Sequence, residues 1–334
     1  MTIRRLLFIW MFLLTWTAAC GASSELIRVD DYDSVEEVEE DWTPPPLVRP
    51  TFSAADNGVM LSVIDVGQGD GLILSAQGKT MVIDAGTGRG GKAIDRQLEV
   101  FGVRRINTLV LTHPHADHIG GAPFLIKKWP IDEVWHSGEE AKSKIHQKTM
   151  DLLREKNIPT LTPKRGHKIQ FSKDVSVTVL YPEIPRISGS RSDANSNSVV
   201  LWVNHGEVDF LLTGDAEEPT EHRLVEIIKD TPMGDLEVLK VAHHGSSHSS
   251  TEAFLKHFPS DIAVISCGRR NRYKHPKPEA LQRIEAMGAK IHRTDLEGTI
   301  HIRSDGKTFK VNTEGVPFSF ILRRPTMSLS HQAA

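Results

Sequence analysis

The segment LVLTHPHADHIGG, residues 109–121, constrains the fold of this chain more than any other part of the sequence. It places three histidines and one aspartate within six positions, directly after the apolar run NTLVLT, which predicts a buried strand. A loop that leaves such a strand has a rigid base, so it can aim several side chains at one point. Imidazole and carboxylate groups together suit Zn²⁺ or Mn²⁺. The segment therefore predicts a metal site at a strand end rather than a solvated polar loop.

Short apolar runs broken by glycine and asparagine alternate with helical patterns between residues 59 and 313. Each half of this region gives several strands and then helices, among them helices predicted over 92–101 and 142–157. This order favours an α/β protein with two mixed sheets and helices outside them, a four-layer αββα sandwich, over a doubly wound parallel sheet. Cys267, in the apolar run AVISCG, is expected to be a small buried core residue.

The N-terminal residues have the pattern of an export signal. Arg4 and Arg5 precede the apolar run 6–14, and small residues follow it. The run is short for a membrane span, and no other segment has about 20 consecutive apolar residues. The motif AACG at 18–21 resembles a bacterial lipoprotein cleavage site, which would make Cys20 the lipidated first residue; ordinary secretion is the alternative. We therefore predict an exported protein, secreted, periplasmic or held at the membrane only through a lipid on Cys20.

An acidic segment separates this signal from the rest of the chain. Residues 21–41 contain nine acidic residues and one base, and three prolines follow at 44–46, a composition typical of a disordered linker. The whole chain has a net charge of −3, of which residues 1–20 carry +2 and residues 21–41 carry −8. Residues 42–334 therefore carry +3. This charge permits an anionic substrate without requiring one. We predict a signal peptide over 1–19, a linker over 20–57, a folded domain over 58–315 and a patternless tail over 316–334.

Seven motifs resemble those of one family. HPHADH resembles the HxHxDH motif of metallo-β-lactamase-fold hydrolases. The motifs VIDVGQGDGLIL, VIDAG, LTHPHADHIGG, NSNSVVL, FLLTGD, LKVAHHGSSHSS and NRYKHP occur in the order seen in the C-terminal domain of ComEC-type DNA-uptake proteins and their free-standing relatives. The resemblance covers about residues 59–303 and implies a metallo-hydrolase domain with its site along one edge of the sandwich. ComEC-type proteins have many membrane spans, and we do not expect this chain to form a transmembrane channel.

The resemblance implies a ligand set for two divalent ions, zinc or manganese. His113 and His115 would bind metal one, and Asp117 and His118 would bind metal two, with Asp117 also taking part in catalysis. Asp215, at the end of FLLTGD, matches the bridging aspartate, although on its own it reads equally well as a turn residue. A carboxylate can span two ions about 4 Å apart.

Two later motifs complete the expected site. His243 and His244 follow the strand pattern LEVLKVA, and adjacent side chains on a strand point opposite ways. We therefore expect only one of them, His243, to bind metal two, with His244 and Ser246 near the substrate. Many metallo-β-lactamase-fold hydrolases supply a further histidine to metal one where this chain has NSNS at 195–198, whereas the ComEC-type branch also has asparagine and serine there. Metal one is therefore expected to be weakly held, completed by water or asparagine, with Asn195 near the substrate.

The segment 268–277 carries five bases in ten residues. It is either a solvated charged loop or an anion clamp beside the metals. In the second interpretation Arg269 and Arg272 contact the substrate, as does Asn271. His275 then protonates a leaving group or grips a phosphate oxygen.

Together these features predict a metal-dependent hydrolase. The leading hypothesis is a phosphodiesterase or nuclease that uses a metal-bridging hydroxide on an anionic substrate such as DNA. A second hypothesis is a hydrolase of another envelope ester or amide, such as a phosphocholine-type phosphoester, a lactone or a β-lactam. A third is a metal-binding module without turnover, which the complete HxHxDH motif disfavours.

Overall fold

The computed structural model describes residues 58–314 and the backbone of a strand over 316–321. The strands are β1 (Val59–Val63), β2 (Leu72–Ala76), β3 (Lys79–Ile83), β4 (Ile106–Leu111), β5 (Ile131–His136), β6 (Thr160–Leu161), β7 (Lys168–Ser172), β8 (Val175–Tyr181), β9 (Val200–His205), β10 (Val208–Leu212), β11 (Leu236–Lys240), β12 (Ser260–Ile265), β13 (Lys290–Arg293), β14 (Ile300–Ser304), β15 (Phe309–Thr313) and β16 (Val316–Ile321). The helices are α1 (Gly90–Val100), α2 (Ala116–Ile119), α3 (Ala122–Lys128), α4 (Lys144–Glu155), α5 (Asp193–Ser196), α6 (Glu218–Ile228), α7 (Glu252–His257), α8 (Pro278–Met287) and α9 (Thr294–Glu297).

These strands form two mixed sheets. The first has the order β16-β15-β14-β1-β2-β3-β4-β5-β6 and the second the order β13-β12-β11-β10-β9-β8-β7. In the first sheet, β3 to β6 run parallel to one another, and in the second, β10 to β13 do so. Strands β9 and β10 form a hairpin around Gly206, since they pair antiparallel with His205 opposite Val208.

Three groups of buried apolar side chains define four layers. One lies between the sheets and includes Leu61 from the first sheet and Val238 from the second. A second packs α6, α7 and α8 against the outer face of the second sheet. The third packs α1, α3 and α4 against the outer face of the first sheet. The predicted αββα sandwich is therefore confirmed, because each sheet covers one face with the other sheet and one with helices.

One local expectation needs correction. The segment 316–334 was predicted to be a patternless tail, but β16 occupies its first part and pairs with β15. It is an edge strand, and Pro317 falls at the irregular step of its pairing with β15; edge strands and such irregular steps are the places where a sheet tolerates proline. Around Asp117 the chain forms two short helices, α2 and α3, which are separated at Gly120 and Gly121. A Cβ on Gly121 would lie 2.3 Å from the carbonyl oxygen of Ala85, so the chain passes too closely there for any side chain.

The fold brings the C-terminal ends of β3 and β4 to the same edge as those of β10, β11 and β12. Ligand sites in sheets of this kind lie outside the carboxyl ends of parallel strands. Two hydrogen bonds join the sheets there: the backbone N–H of Val199 donates to Thr112 at 3.0 Å, and Ser266 Oγ donates to the carbonyl of Gly69 at 2.7 Å. The edge is therefore a fixed platform for the loops that follow these strands.

No helix among residues 58–314 is long and apolar enough to cross a membrane. The predicted signal peptide, the acidic linker and Cys20 lie outside the described residues.

Candidate metal centre

The HPHADH segment forms one wall of the centre, in the loop between β4 and α2. His113 and His115 are buried, and Nε2 of His113 lies 3.0 Å from Nδ1 of His115. Asp117 and His118 follow in the single turn of α2, where both are also buried. The spacing therefore does what the sequence predicts, since it turns four metal-ligating side chains inward from one short loop.

Asp215 lies at the middle of the centre and is 2% exposed. Its Oδ2 lies 3.2 Å from Nε2 of His118, 3.7 Å from Nε2 of His243 and 3.8 Å from Nε2 of His113. Its Oδ1 lies 3.4 Å from Nε2 of His244. One carboxylate thus contacts histidines from both walls of the edge.

The turn before Asp215 depends on glycine. Gly214 has a φ of +52°, and a Cβ there would lie 3.2 Å from side-chain atoms of Ser198 and Thr112. The loop is therefore pressed against the end of β4, which brings the aspartate of the second sheet to the histidines of the first.

His243 and His244 both face Asp215, which corrects the expectation that they point opposite ways. The strand β11 ends at Lys240, and the next residues form a 3₁₀ turn in which His243, His244 and Gly245 all have positive φ values. This left-handed path abolishes the alternation of a strand. It brings His244, rather than His243, within 3.5 Å of the Asp117 carboxylate.

Buried polar atoms in the centre fit a metal ion. Several groups of three residues each have one ligand atom per residue within 4.8 Å of the other two. Two of these groups are His113–His118–Asp215 and Asp117–His118–His244. Asp117 Oδ1, His118 Nε2, Asp215 Oδ1 and His244 Nε2 are buried and have no hydrogen-bond partner among the described residues. Orphaned nitrogen and oxygen atoms aimed at one point are costly unless a cation joins them. The residues present therefore fit a divalent metal.

The protonation states of the histidines and of Asp215 in the centre also fit a metal ion. Burial lowers the pKa of His113 well below its usual value, with His118 and His115 adding to the effect. Burial opposes ionisation of Asp215, yet the surrounding histidines, His118 first, hold the pKa of its carboxyl well below the usual range. Burial likewise opposes protonation of His118 and His244, but Asp215 and other carboxylates raise both pKa values. A divalent ion can take the place of the protons on these two rings.

The family model of the metallo-beta-lactamase superfamily matches residues 64–269. The chain belongs to this superfamily. It is similar to ComE operon protein 3 of Bacillus subtilis, with 31% identity over 271 residues, 75% of this chain and 34% of that protein. It is similar to Recombination protein 2 of Haemophilus influenzae, with 29% identity over 269 residues, 77% and 29% of the two chains. Competence protein ComA of Neisseria gonorrhoeae is 30% identical over 248 residues, 73% and 32% of the two chains.

The chain thus spans about a third of the length of these curated relatives. The resemblance read from the motifs is confirmed, and the chain belongs to a family with the metallo-hydrolase fold.

In this metallo-beta-lactamase centre, Asp84 supports His118. Its Oδ2 lies 2.7 Å from Nδ1 of His118 and accepts a 2.6 Å hydrogen bond from Thr112 Oγ1. Asp84 thereby holds Nδ1 of His118, and the ring is oriented so that its other nitrogen, Nε2, faces Asp215. Sequence reasoning did not assign a role to Asp84, although it lies in the motif VIDAG, directly after the end of β3.

The carbonyl of Ser266 supports His244, because it accepts a 2.9 Å hydrogen bond from Nδ1 of that ring. Asp70, in the motif GQGD, lies beside the same ring, with its Oδ1 3.3 Å from Nδ1 of His244. The preceding Gly69 has a φ of +118°, and a Cβ there would lie 1.9 Å from the carbonyl oxygen of Asp117. Neither residue was singled out from the sequence. The glycine-rich motif that contains them was the available signal.

Two residues predicted to contact the substrate face other protein groups. Asn195 is buried, and its Nδ2 donates a 2.9 Å hydrogen bond to Oε1 of Glu217. Ser246 Oγ accepts a 3.2 Å hydrogen bond from the backbone N–H of His248 and so closes the turn after the two histidines. Glu217, which the sequence did not single out, lies with Oε1 3.1 Å from Nδ1 of His243.

The basic loop 268–277 borders the centre through His275, whose ring centroid lies 5.4 Å from that of His243. Asn271 does not reach the centre: its amide donates to the carbonyls of Gly268 and His275 and accepts from the His275 N–H, so it shapes the loop. Arg269 donates to the carbonyl of Asp295 at 2.8 Å.

Arg272 is exposed in the same loop and lies over the ring of Tyr273, which stacks on His275. The loop therefore presents cations and a phenol ring at the rim of the centre.

Four other histidines that the sequence left unassigned do not join the groups of possible ligands among the described residues. His205 Nδ1 pairs with Ser304 Oγ at 3.0 Å, and the ring of His167 packs edge-on to Trp135. His136 and His146 line a small cavity behind His113. None therefore supplies the histidine that many superfamily members place before the bridging aspartate.

Proposed function

We propose that this chain is a phosphodiesterase that cleaves nucleic acid, with DNA as its substrate, and that it binds two divalent ions, zinc or manganese. The observation that carries this proposal is the position of Asp215, whose Oδ1 lies beside His244 and whose Oδ2 lies beside His113. A carboxylate placed in this way can bridge two ions about 4 Å apart, the arrangement used for in-line displacement at phosphorus.

The proposed ligands come from both sheets. His113 and His115 would hold metal one, Asp117, His118 and His244 would hold metal two, and Asp215 would join them. When bound, two such ions polarise a phosphodiester and lower the pKa of water toward neutrality. The chain contributes the carboxylate of Asp84 and the carbonyl of Ser266, which orient the rings of His118 and His244.

The substrate class is inferred from the basic loop. Arg270, Arg272 and Lys274 are exposed there, and a phosphodiester carries the charge that they would attract. The ring of Tyr273 offers a surface on which a nucleobase can stack. The names of two relatives support DNA as the nucleic acid, since one is a recombination protein and the other a competence protein.

In this proposal His275 acts as a neutral ring. Burial lowers its pKa to about 3, and the nearby His243 and His244 add to the effect. At neutral pH the ring is therefore uncharged, so it can donate one N–H to a phosphate oxygen but is a poor general acid. This revises the expectation that it protonates the leaving group.

We also propose that the chain is exported and that Cys20 carries a lipid. The support is the charge and size pattern of residues 1–21. A fusion of residues 1–58 to a reporter tests export, and labelling with a radioactive fatty acid tests lipidation. We expect an external reporter and a label that Cys20→Ser removes. A cytoplasmic reporter contradicts export, and a label retained in Cys20→Ser contradicts lipidation of that residue.

The function is tested on the purified full chain by counting zinc and manganese per molecule and by adding DNA. The substrates are single-stranded DNA, double-stranded DNA and bis-nitrophenyl phosphate, each with and without chelator. We expect two ions per chain and cleavage of DNA that chelator and Asp215→Ala abolish. Asp235→Ala, an exposed carboxylate away from the centre, is the matched control and retains the activity.

The other results separate the alternatives. Cleavage of the small diester alone keeps phosphodiester chemistry and contradicts DNA as the substrate. Two bound ions without cleavage of any phosphodiester contradict the proposal and favour an ester, lactone or β-lactam substrate. Fewer than one ion per chain favours a binding module.

A further inference from the structure

We propose that a DNA strand crosses the metal centre from the basic loop 268–277 to the beginning of α4, where Lys142, Lys144 and Lys148 bind its phosphates. The inference rests on the proposed function and extends it, because it adds a second contact surface on the other side of the centre. None of these lysines was singled out from the sequence.

The metal centre lies between two contacts that join the sheets. On one side, Ser266, which precedes the basic loop, donates to the carbonyl of Gly69 in the connection between β1 and β2. On the other side, Arg186 donates to the carbonyl of Ser137 in the loop that follows β5. Because the first sheet has the order β1-β2-β3-β4-β5, the HPHADH segment after β4 lies between these contacts.

The first turn of α4 borders the centre. His146, in that turn, lines the same small cavity as the proposed ligand His113. Ser143 caps the helix, since its side chain accepts a 3.3 Å hydrogen bond from the backbone N–H of His146. Lys142 and Lys144 flank Ser143, so their backbone positions are held beside the ligands of the first sheet.

The loops that follow β3, β4, β5, β10, β11 and β12 expose more cations than carboxylates. The exposed carboxylate in these loops is Glu140. Their exposed cations are Arg89, Lys142, Arg269, Arg270, Arg272 and Lys274. Residues 42–334 carry only +3 in total, so positive charge is concentrated at this edge rather than spread over the domain. Such a concentration attracts a polyanion.

The lysines of α4 oppose the stability of the helix that carries them. Its first turn has no acidic residue, although the helix dipole favours carboxylates over lysines there. The helices α6, α7 and α8 each have a glutamate in that turn. Lys144 and Lys148 are exposed and four positions apart, a spacing at which like charges repel. A bound anion with several charges removes this repulsion.

The three ammonium groups are available for such an anion. Lys142, Lys144 and Lys148 form no ion pair with another residue in the described part of the chain. This contrasts with Lys128 on the neighbouring helix α3, which pairs with both Asp95 and Glu99 at 2.7 Å.

A ligand that contacts both α4 and the basic loop must extend across the centre. The basic loop follows β12 of the second sheet, whereas α4 follows β5 of the first. A DNA strand carries a negative charge at every nucleotide, so it supplies phosphates to both surfaces while one linkage lies at the metals. A small phosphoester has charge for one surface only. The distribution of cations therefore fits a strand that continues on both sides of the reacting bond.

The test measures binding of a labelled single-stranded oligonucleotide to the full chain by fluorescence anisotropy, with chelator present to prevent cleavage. Lys142→Gln with Lys144→Gln is expected to weaken binding about 10-fold. It should lower the slope of log K against log salt by about 1.4, since each phosphate contact contributes about 0.7. Lys142→Arg with Lys144→Arg should retain binding. Lys79→Gln with Lys173→Gln, which removes two exposed lysines at the opposite edge, is the matched control and leaves binding unchanged.

A variant of the basic loop tests the other side of the centre. Arg270→Gln with Lys274→Gln is expected to weaken binding to a similar extent, and the four substitutions together should weaken it further. If only the basic-loop variant loses affinity, the strand does not reach α4 and the inference is overturned.

Three other outcomes overturn the inference, and circular dichroism confirms that each variant is folded. One is an unchanged affinity and salt slope in the α4 variant. Another is an equal loss in the control at the opposite edge, because binding then follows net charge alone. The third is a loss of binding to phosphatidylglycerol vesicles but not to DNA, which assigns the lysines to a membrane surface.

Failure of the proposed function is recognised separately, because the binding assay does not depend on turnover. DNA that binds with the expected differences, yet is not cleaved when zinc or manganese is restored, overturns only the function. A wild-type chain that neither binds nor cleaves DNA overturns both.

Discussion

Lys240 and Asp70 form an ion pair in which each residue is only 1% exposed, and the second oxygen of Asp70 lies 3.3 Å from Nδ1 of His244. The lysine ammonium also donates to the carbonyl of Val241 at 3.0 Å. A buried lysine therefore balances the charge of a carboxylate that lies beside a proposed metal ligand.

We expect Lys240→Met to lower the free energy of unfolding of the metal-free chain by about 3–5 kcal/mol, because it leaves Asp70 buried without its charge partner. Urea denaturation measures this loss. The exposed pair of Arg154 and Asp151 provides the control, since Arg154→Ala is expected to change stability by less than about 1 kcal/mol. Equal effects of the two substitutions would show that the buried pair is not needed.

Gly69→Ala is expected to reduce metal binding. Its Cβ would lie 1.9 Å from the carbonyl oxygen of Asp117, so the HPHADH segment must move. Gly78→Ala is the control, because Gly78 also has a positive φ but no atom within 4 Å of a built Cβ. Both variants should lose about 1–2 kcal/mol from backbone strain. Only Gly69→Ala should bind fewer ions per chain by elemental analysis, and normal metal content in it would contradict the close approach.

Metal removal is expected to lower thermal stability. An ion that binds only the folded chain stabilises it by about 2.7 kcal/mol at a free concentration of 100 times its Kd. Scanning calorimetry with and without excess Zn²⁺ should therefore show a higher Tm with the ion. Asp215→Ala should lose this increase, and Asp235→Ala should keep it. A Tm that does not respond to Zn²⁺ or Mn²⁺ would contradict a folded-state metal centre.

Cys267 is expected to resist alkylation. Burial raises the pKa of its thiol to about 12, with the Asp295 carboxylate contributing, so at pH 8 only about one thiol in ten thousand is ionised. In a Cys20→Ser chain, where Cys267 is the remaining cysteine, iodoacetamide should react only after unfolding in guanidinium chloride. The thiolate fraction rises with pH toward 12, so the rate should increase with pH. Rapid reaction of the folded chain at pH 8 would show that the thiol is accessible.

The convergence of His113, His115, Asp117 and His118 could be predicted because it is local. One strand, one loop and one helical turn place all four within six positions, and the strand end fixes their direction. The two-sheet architecture could be predicted for a similar reason, since it follows from the order of apolar runs.

The supporting residues could not be predicted in this way. Asp70 and Lys240 are 170 positions apart, and their pairing depends on how the two sheets stack. The same applies to Glu217 and His243, which come from loops after different strands. Burial of a charge becomes apparent only when the tertiary structure shows what covers it.

The two adjacent histidines were misplaced because the left-handed turn occurs at His243 and His244, before the glycine that signals it. Residues other than glycine seldom adopt such φ values, so the sequence pattern favoured an extended strand. Asn271 was misplaced because its amide is satisfied within its own loop, a local hydrogen-bond pattern that composition does not reveal.

Asp215 comes from the second sheet and His113 from the first, so the separation of the sheets sets the distance between these two side chains. That separation is determined by the apolar side chains between the sheets, such as Leu61 and Val238, which lie in the strands rather than in the loops of the centre. A change of volume in that interior would alter how the two halves of the ligand set meet. Selection for chemistry at the edge therefore also acts on the sizes of residues that never touch a metal or a substrate.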